Sequence, residues 1–319
     1  MIRKRDSNTT GYQFWSLFLQ LGGYLVFSFV VLVGLLWLLF PGEQIRDWLN
    51  ARLNAEVTSA EIRIQGVGLV FPPAFALKPI QINLKQQDGA IPLRLDYVVL
   101  RPRLLPWLQG GRPVFDVTGR GVQGMFRVVA TLVNDNQVEI KDGTVEGIQL
   151  RDPGLRQYLG RTMAGSVSGE FSGVLAAAGG HSQVMVSLHM GQGKIGLQQP
   201  VFGLDALAIE RADLQMLVGG EGVRITAGKM DSSLLSSNFA GEMYWSVTGK
   251  GNQLSIAGQI SPHSTFFVQL GDDPLAEVLK KALNKGQLPF TISGTIQKPG
   301  ISFGDLDNVL SSSSLPGRR

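Results

Sequence analysis

Apolar and polar residues alternate along most of the chain beyond residue 57, and that rhythm predicts strands with one apolar face. The stretches AEIRIQGVGLVF, AFALKPIQINLKQ, LRLDYVVLRPR, VFDVTGRGVQGMFRVVATLV and QVEIKDGTVEGIQL all carry it. So does LPFTISGTIQKPGISF near the end, where Leu288, Phe290, Ile292 and Ile296 take alternate places. Gly294 stands where another large apolar residue is due. Asp88-Gly89, Asp142-Gly143 and Asn134-Asp135-Asn136 supply turn chemistry between the strands. The pattern predicts an antiparallel, mainly β domain.

Helical spacing replaces the alternation in a few places. Between Asp6 and Glu43 no charge occurs, and Phe14 to Phe40 is almost wholly apolar. A bilayer core needs about 20 apolar residues in a helix, so residues 14–40 are expected to form a transmembrane anchor. Trp15, Tyr24 and Trp37 provide aromatic rings for its interfaces. A cleaved signal peptide has a shorter apolar core, about 7–15 residues, and a small-x-small cleavage site, which LLFPGEQ lacks. Next comes PGEQIRDWLNARLNA, where Ile45, Trp48, Leu49 and Leu53 share one helical face. This membrane-proximal helix either caps the first strands or lies on the membrane. Two short amphipathic helices are predicted later, each opened by Asp-Pro. The first is GLRQYLGR after Asp152; the second is LAEVLKKALNKG after Asp273, with Leu275, Val278, Leu279 and Leu283 on one face and Gly286 beyond its end.

An apolar–x–Gly–x–apolar unit recurs in the second half of the chain. It reads Val167–Gly169–Phe171, Phe239–Gly241–Met243, Ile256–Gly258–Ile260 and Ile292–Gly294–Ile296. On a strand these residues share a face, so each glycine notches an apolar surface. Such strands side by side predict a curved sheet whose notched face is either a lipid groove or a docking surface. With Phe290 the thirteen residues are the candidate site.

Composition narrows the chemistry. Charged residues are 17% and glycines number 40, in keeping with strands and turns. Arg3, Lys4 and Arg5 against Asp6 place half of the formal net charge of +4 before the apolar run. Positive charge there predicts a cytoplasmic N-terminus. No basic block follows, which argues against nucleic acid. Cysteine is absent, excluding disulfides and thiolate metal sites and suiting an oxidising compartment. His181, His189 and His263 are scattered, and neither a metal-binding spacing nor a catalytic motif appears. GQGKIG, Gly191 to Gly196, lacks the phosphate-loop spacing and reads as a hairpin turn. No enzyme activity, cofactor, metal or small-molecule substrate is expected.

The order of parts resembles the longer form of the type II secretion system protein N family. The anchor is followed by FPGEQIRDWLNARLNA, then by LRPRLLPWLQGGRPVFDVTGRGVQGMFR, AGSVSGEFSG, GKMDSSLLSSNFAGEMYWS and LSIAGQISP. The closing signature is matched by Phe290, Ile292, Gly294, Thr295 and Pro299. The same style of strand resembles AsmA-like and bridge-type lipid-transfer proteins. The resemblance implies a bitopic inner-membrane protein that serves the secretion machine as scaffold or accessory factor. Its implied partners are the inner-membrane platform or secretin, and membrane lipid. The expected layout is a cytoplasmic tail at 1–13, the anchor at 14–40, a periplasmic β-rich domain at 41–304 and a disordered tail at 305–319. The alternative is an envelope lipid-binding or lipid-transfer protein with an apolar β-groove, taco-shaped as in AsmA-like folds.

Overall fold

Strands that alternate so regularly and are joined so briefly have one economical arrangement, in which each pairs with its predecessor. The computed structural model has this arrangement. It describes residues 9–56, 60–70, 74–84, 91–121, 124–134, 136–151, 161–176, 182–201, 204–245, 253–271, 274–295 and 298–304. The tail at 305–319, the helix expected at GLRQYLGR, the Asp88-Gly89 turn, His181 and Ile296 lie outside the described residues.

The first helix, α1 (Thr9–Leu38), is followed by α2 (Gly42–Glu56). Then come β1 (Ala60–Val70), β2 (Ala74–Leu84) and β3 (Ile91–Arg103), with a five-residue helix, α3 (Leu104–Leu108). Five more strands follow: β4 (Val114–Gly121), β5 (Gly124–Asn134), β6 (Gln137–Gln149), β7 (Met163–Ala176) and β8 (Gln183–Val201). The second half holds β9 (Leu204–Ile209), β10 (Arg211–Gly219), β11 (Gly222–Asp231), β12 (Leu235–Tyr244) and β13 (Gln253–Pro262). Helices α4 (Ser264–Leu270) and α5 (Pro274–Ala282) precede β14 (Leu288–Thr295) and β15 (Pro299–Ser302). All 15 strands form one antiparallel sheet in chain order, except that β10 pairs with β8 and β9 pairs only with β8. Among the described residues, extensive strand–strand contact is confined to ladder neighbours, so the sheet stays open.

Two helical lids touch this sheet, one near each end. At the β1 end, Leu49 and Leu53 of α2 pack on Ile64, Ile80 and Val98. The same helix closes the free edge of β1. The Asn50 amide accepts from Ile64 N (2.7 Å) and donates to Ile64 O (3.0 Å). Asn54 does the same with Ile62, at 2.8 and 2.7 Å. Two asparagines one helical turn apart thus imitate a neighbouring strand, and the outward ladder groups of Ile62 and Ile64 are satisfied. Of the expected membrane-proximal face, Ile45 is half-buried, but Trp48 turns away and is 64% exposed. At the β14 end, Leu279 and Ala282 of α5 and Phe266 of α4 bury Leu288, with Val278 and Leu283 packed alongside. Gly286 past α5 has φ +80°, as a residue ending a helix often must.

The sequence expectations need several corrections. Asp142-Gly143 is not a turn but lies inside β6, at a register shift between Ile140 and Gly143. GQGKIG is neither loop nor hairpin, because β8 runs through it with Gly193 paired to Gly165 and Ile209. Helix α4 was hidden behind the strand-like composition of STFFVQL. For the membrane anchor, no helix among the described residues is long and apolar enough to cross a membrane. Helix α1 nonetheless runs 30 residues, and the side chains described in it begin at Leu21. Those side chains are exposed and almost all apolar.

Candidate functional site

Directly paired residues in an antiparallel sheet point to the same face, as do residues two apart along a strand. The register therefore assigns every side chain to a face. Following one row across the ladder gives Val98–Gly119–Phe126–Val145–Gly169–Leu188. It continues as Leu188–Leu214–Gly228–Phe239–Gly258–Phe290. A second row, one pleat along, runs Phe171–Val186–Met216–Ile225–Gly241–Ile256 and ends at Ile292 and Ile301. In the other direction it passes Gly143, Val128, Val117 and Leu100 to Phe75 and Leu69. Neither row contains a polar side chain. The opposite face is polar, as in Arg127–Thr144–Glu170–Ser187–Gln215.

The candidate residues read from the repeats fall on this apolar face. Gly169, Phe239, Gly258 and Phe290 stand in the first row, and Phe171, Gly241, Ile256 and Ile292 in the second. Val167 and Ile260 lie one pleat to one side; Met243 and Gly294, whose common neighbour is Leu254, lie one pleat to the other. Only Ile296 cannot be placed.

The glycines have a role that the notch reading missed. A Cβ on Gly143 would stand 2.5 Å from the Phe171 ring, and one on Gly258 2.7 Å from Phe290 Cε1. Gly119 under Phe126 and Gly228 under Phe239 are arranged alike. Each pair is in direct register across the ladder. The notch is thus a seat for the neighbouring strand's ring, which covers the backbone that glycine leaves bare. Gly169 and Gly241 are paired with Leu188 and Ile256, but there a Cβ would first meet the partner strand's backbone, at Ser187 O and Ser255 O. The Gly/Phe alternation keeps the face smooth and free of bulky protrusions. Gly294 differs: its φ of +102° requires glycine for backbone reasons.

Cover over the face is uneven. Leu288 is fully buried and Phe290 is 8% exposed beside the α4–α5 cluster, so the closing segment is a packed end. The α2 cluster reaches as far as Phe126. Between them, from β6 to β13, Val145, Phe171, Val186, Met216 and Ile256 are only half-buried, shielded by their own neighbours on the sheet. Six ladder spacings of ~4.8 Å make this open stretch on the order of 30 Å long. Register shifts at Ile140/Gly143, Val145/Ile148, Gln215/Met216 and Ile225/Gly228 fall within it. Such bulges increase local bend and twist.

Charged groups are arranged on the other face and the rim. His189 Nδ1 lies 2.6 Å from Asp213, which Arg211 also contacts at 2.7 Å. The His189 contact first, then Arg211, holds the Asp213 carboxyl below the ordinary aspartate range. Arg103 grips Asp116 at 2.6 and 2.8 Å and lowers that carboxyl likewise. Tyr244 donates to Glu242, which Arg224 also contacts. Among the described residues, no group of three or more histidines and carboxylates is gathered in a way that could hold a metal. Pockets such as the one beside Arg120, Met125 and Glu146 are shallow surface hollows of about 500 Å³.

No family model matches the chain, and no curated protein or solved structure matches it either.

Proposed function

We propose that this protein is a non-enzymatic, membrane-anchored holder of lipid, whose long apolar sheet face receives acyl chains. The observation that carries the reading is the pair of unbroken apolar rows, open between β6 and β13 and closed by helices only toward the ends. A soluble domain of this size would bury such a face under a second layer, because apolar surface left in water costs about 25 cal/mol per Å². A dozen acyl methylenes laid on it would contribute on the order of 10 kcal/mol, before the cost of ordering the chain. A sheet of this many strands curls, and the bulges favour curling here, which would turn the apolar face into a groove. In this reading α1 is the single-pass anchor in the inner membrane, its N-terminus is cytoplasmic, and the sheet stands in the periplasm.

The secretion-accessory reading is retained for one specific reason. Among the described residues β15 is the last strand, four residues long and unpaired beyond β14, next to the closing Phe290–Pro299 signature, and a partner strand could add there. Photocrosslinking in living cells separates the two. A photoreactive residue replaces Val186 on the open apolar face, with controls at the outward Ser187 and at Ile301 on the edge. Phospholipid or lipopolysaccharide captured from 186 alone supports the lipid reading. Protein partners captured chiefly from 301 favour secretion docking. Capture only within the chain at 186 refutes the open groove.

A further inference from the structure

Helices α1 and α3 meet the sheet at the same end. Trp37 Nε1 donates to Leu69 O at 3.3 Å, and the Phe40 ring lies 6.3 Å from that of Phe75. Leu69 pairs with Phe75 and Phe75 with Leu100, so the end of α1 sits beside the strand ends from which α3 springs. Two ladder spacings, about 10 Å, separate β1 from β3.

Helix α3, LLPWL, buries none of its residues. Leu104 is 44% exposed, Leu105 68%, Trp107 62% and Leu108 80%. Four large apolar side chains exposed together on one short helix call for a partner surface. The flanks carry Arg101, Arg103 and Arg112, all exposed. Asp116 is engaged with Arg103, which Asp142 also reaches electrostatically, so the three arginines still outnumber the carboxylates beside them. An apolar tip ringed by arginines complements a surface that is apolar inside and anionic at its phosphates. Its closeness to the exposed apolar helix α1 says which surface that is.

We infer that α3 dips into the bilayer that α1 crosses, as a second, non-spanning contact, with its arginines on lipid phosphates. The occupant is the lipid surface and not a protein groove. This rests on the anchor reading of α1. The contact holds the β3–β4 end of the sheet at the membrane, beside the part of the apolar face that α2 covers.

The absence of cysteine makes the test clean, since single labels can be introduced at will. Full-length chains carrying Leu105→Cys, Leu25→Cys or Ser255→Cys are labelled with an environment-sensitive fluorophore. They are then reconstituted into vesicles of phosphatidylethanolamine and phosphatidylglycerol. All three positions are exposed, so labelling leaves the packing undisturbed. The expected result is blue-shifted emission at 105, quenched severalfold more by spin-labelled lipid than at 255 and protected from aqueous iodide. Iodide quenching at 105 as strong as at 255, with position 25 still in lipid, overturns the inference and leaves the anchor standing. Position 25 in water overturns both.

Discussion

Gly258 sits between two phenylalanines in register, Phe239 on β12 and Phe290 on β14, and alanine there tests the seat argument by sign. A methyl would meet Asn238 O at 2.5 Å, Phe290 Cε1 at 2.7 Å and Phe239 Cβ at 2.8 Å. Ordinary carbon contacts are about 3.5–4.0 Å, so rings and backbone must each give by close to 1 Å. Overpacking of this kind costs about 1–3 kcal/mol. Replacing a strand glycine by alanine otherwise returns about 0.5–1 kcal/mol of backbone entropy. The expected net effect is a loss of about 1–2 kcal/mol, which lowers Tm by roughly 2–6 °C. Gly68, also in a strand, is the control, because a methyl there meets nothing within 4 Å. Gly68→Ala should be neutral or slightly stabilising. The assay is thermal unfolding of the full chain in nanodiscs, followed by the strand signal in circular dichroism. Adding Phe290→Leu to Gly258→Ala should recover part of the loss through a coupling of about 1 kcal/mol. If Gly258→Ala behaves like Gly68→Ala, or if shrinking Phe290 brings no relief, the glycines are not seats and the account of the face fails.

Three further expectations follow from other parts of the molecule. Met216→Glu places a charge in the middle of the open row and should cut co-purifying phospholipid roughly thirtyfold, about 2 kcal/mol of lost methylene contact, while Gln215→Glu on the polar face leaves it unchanged; equal lipid in both variants would refute the groove. Asn50→Ala with Asn54→Ala removes the amides that seal β1, and hydrogen exchange of the Ile62 and Ile64 amides should accelerate at least tenfold; unchanged protection would mean that α2 shields the edge by bulk alone. The Asp213 carboxyl titrates below its unfolded value of about 3.9, so its stabilising contribution is present above that pH and is lost as pH falls through the lower folded value. His189→Ala should raise that carboxyl's midpoint in an NMR titration, and no movement would show that Arg211 alone sets it.

The alternation of Val167, Gly169 and Phe171, or of Ile256, Gly258 and Ile260, was enough to read strands and to assign these residues to one face. It could not say which strand would lie beside which, and so the purpose of the glycines stayed hidden. Gly258 is explained by Phe290, thirty-two positions away, and only the register joins them. Nothing in the sequence singled out Asn50 and Asn54, whereas they are the nearest thing β1 has to a neighbouring strand. Asp142-Gly143 carried the chemistry of a turn, but Gly143 is paired on both sides, with Val128 and with Phe171, whose ring occupies the space above it. Phe290, the most conspicuous apolar residue of the closing segment, proved to be in its most covered part. The open part of the face lies at Val186 and Met216, in stretches whose pattern was no different.

The asparagine seal on β1 gives the sheet a direction. Helix α2 precedes β1 in the chain, so one margin is finished before any strand has a partner to add. With each strand laid beside its predecessor, apart from the β9 detour, a chain emerging N-terminus first always offers a single growing margin as template. No strand has to wait for a distant partner. Growth runs outward from a fixed hem to β15, the last of the described strands.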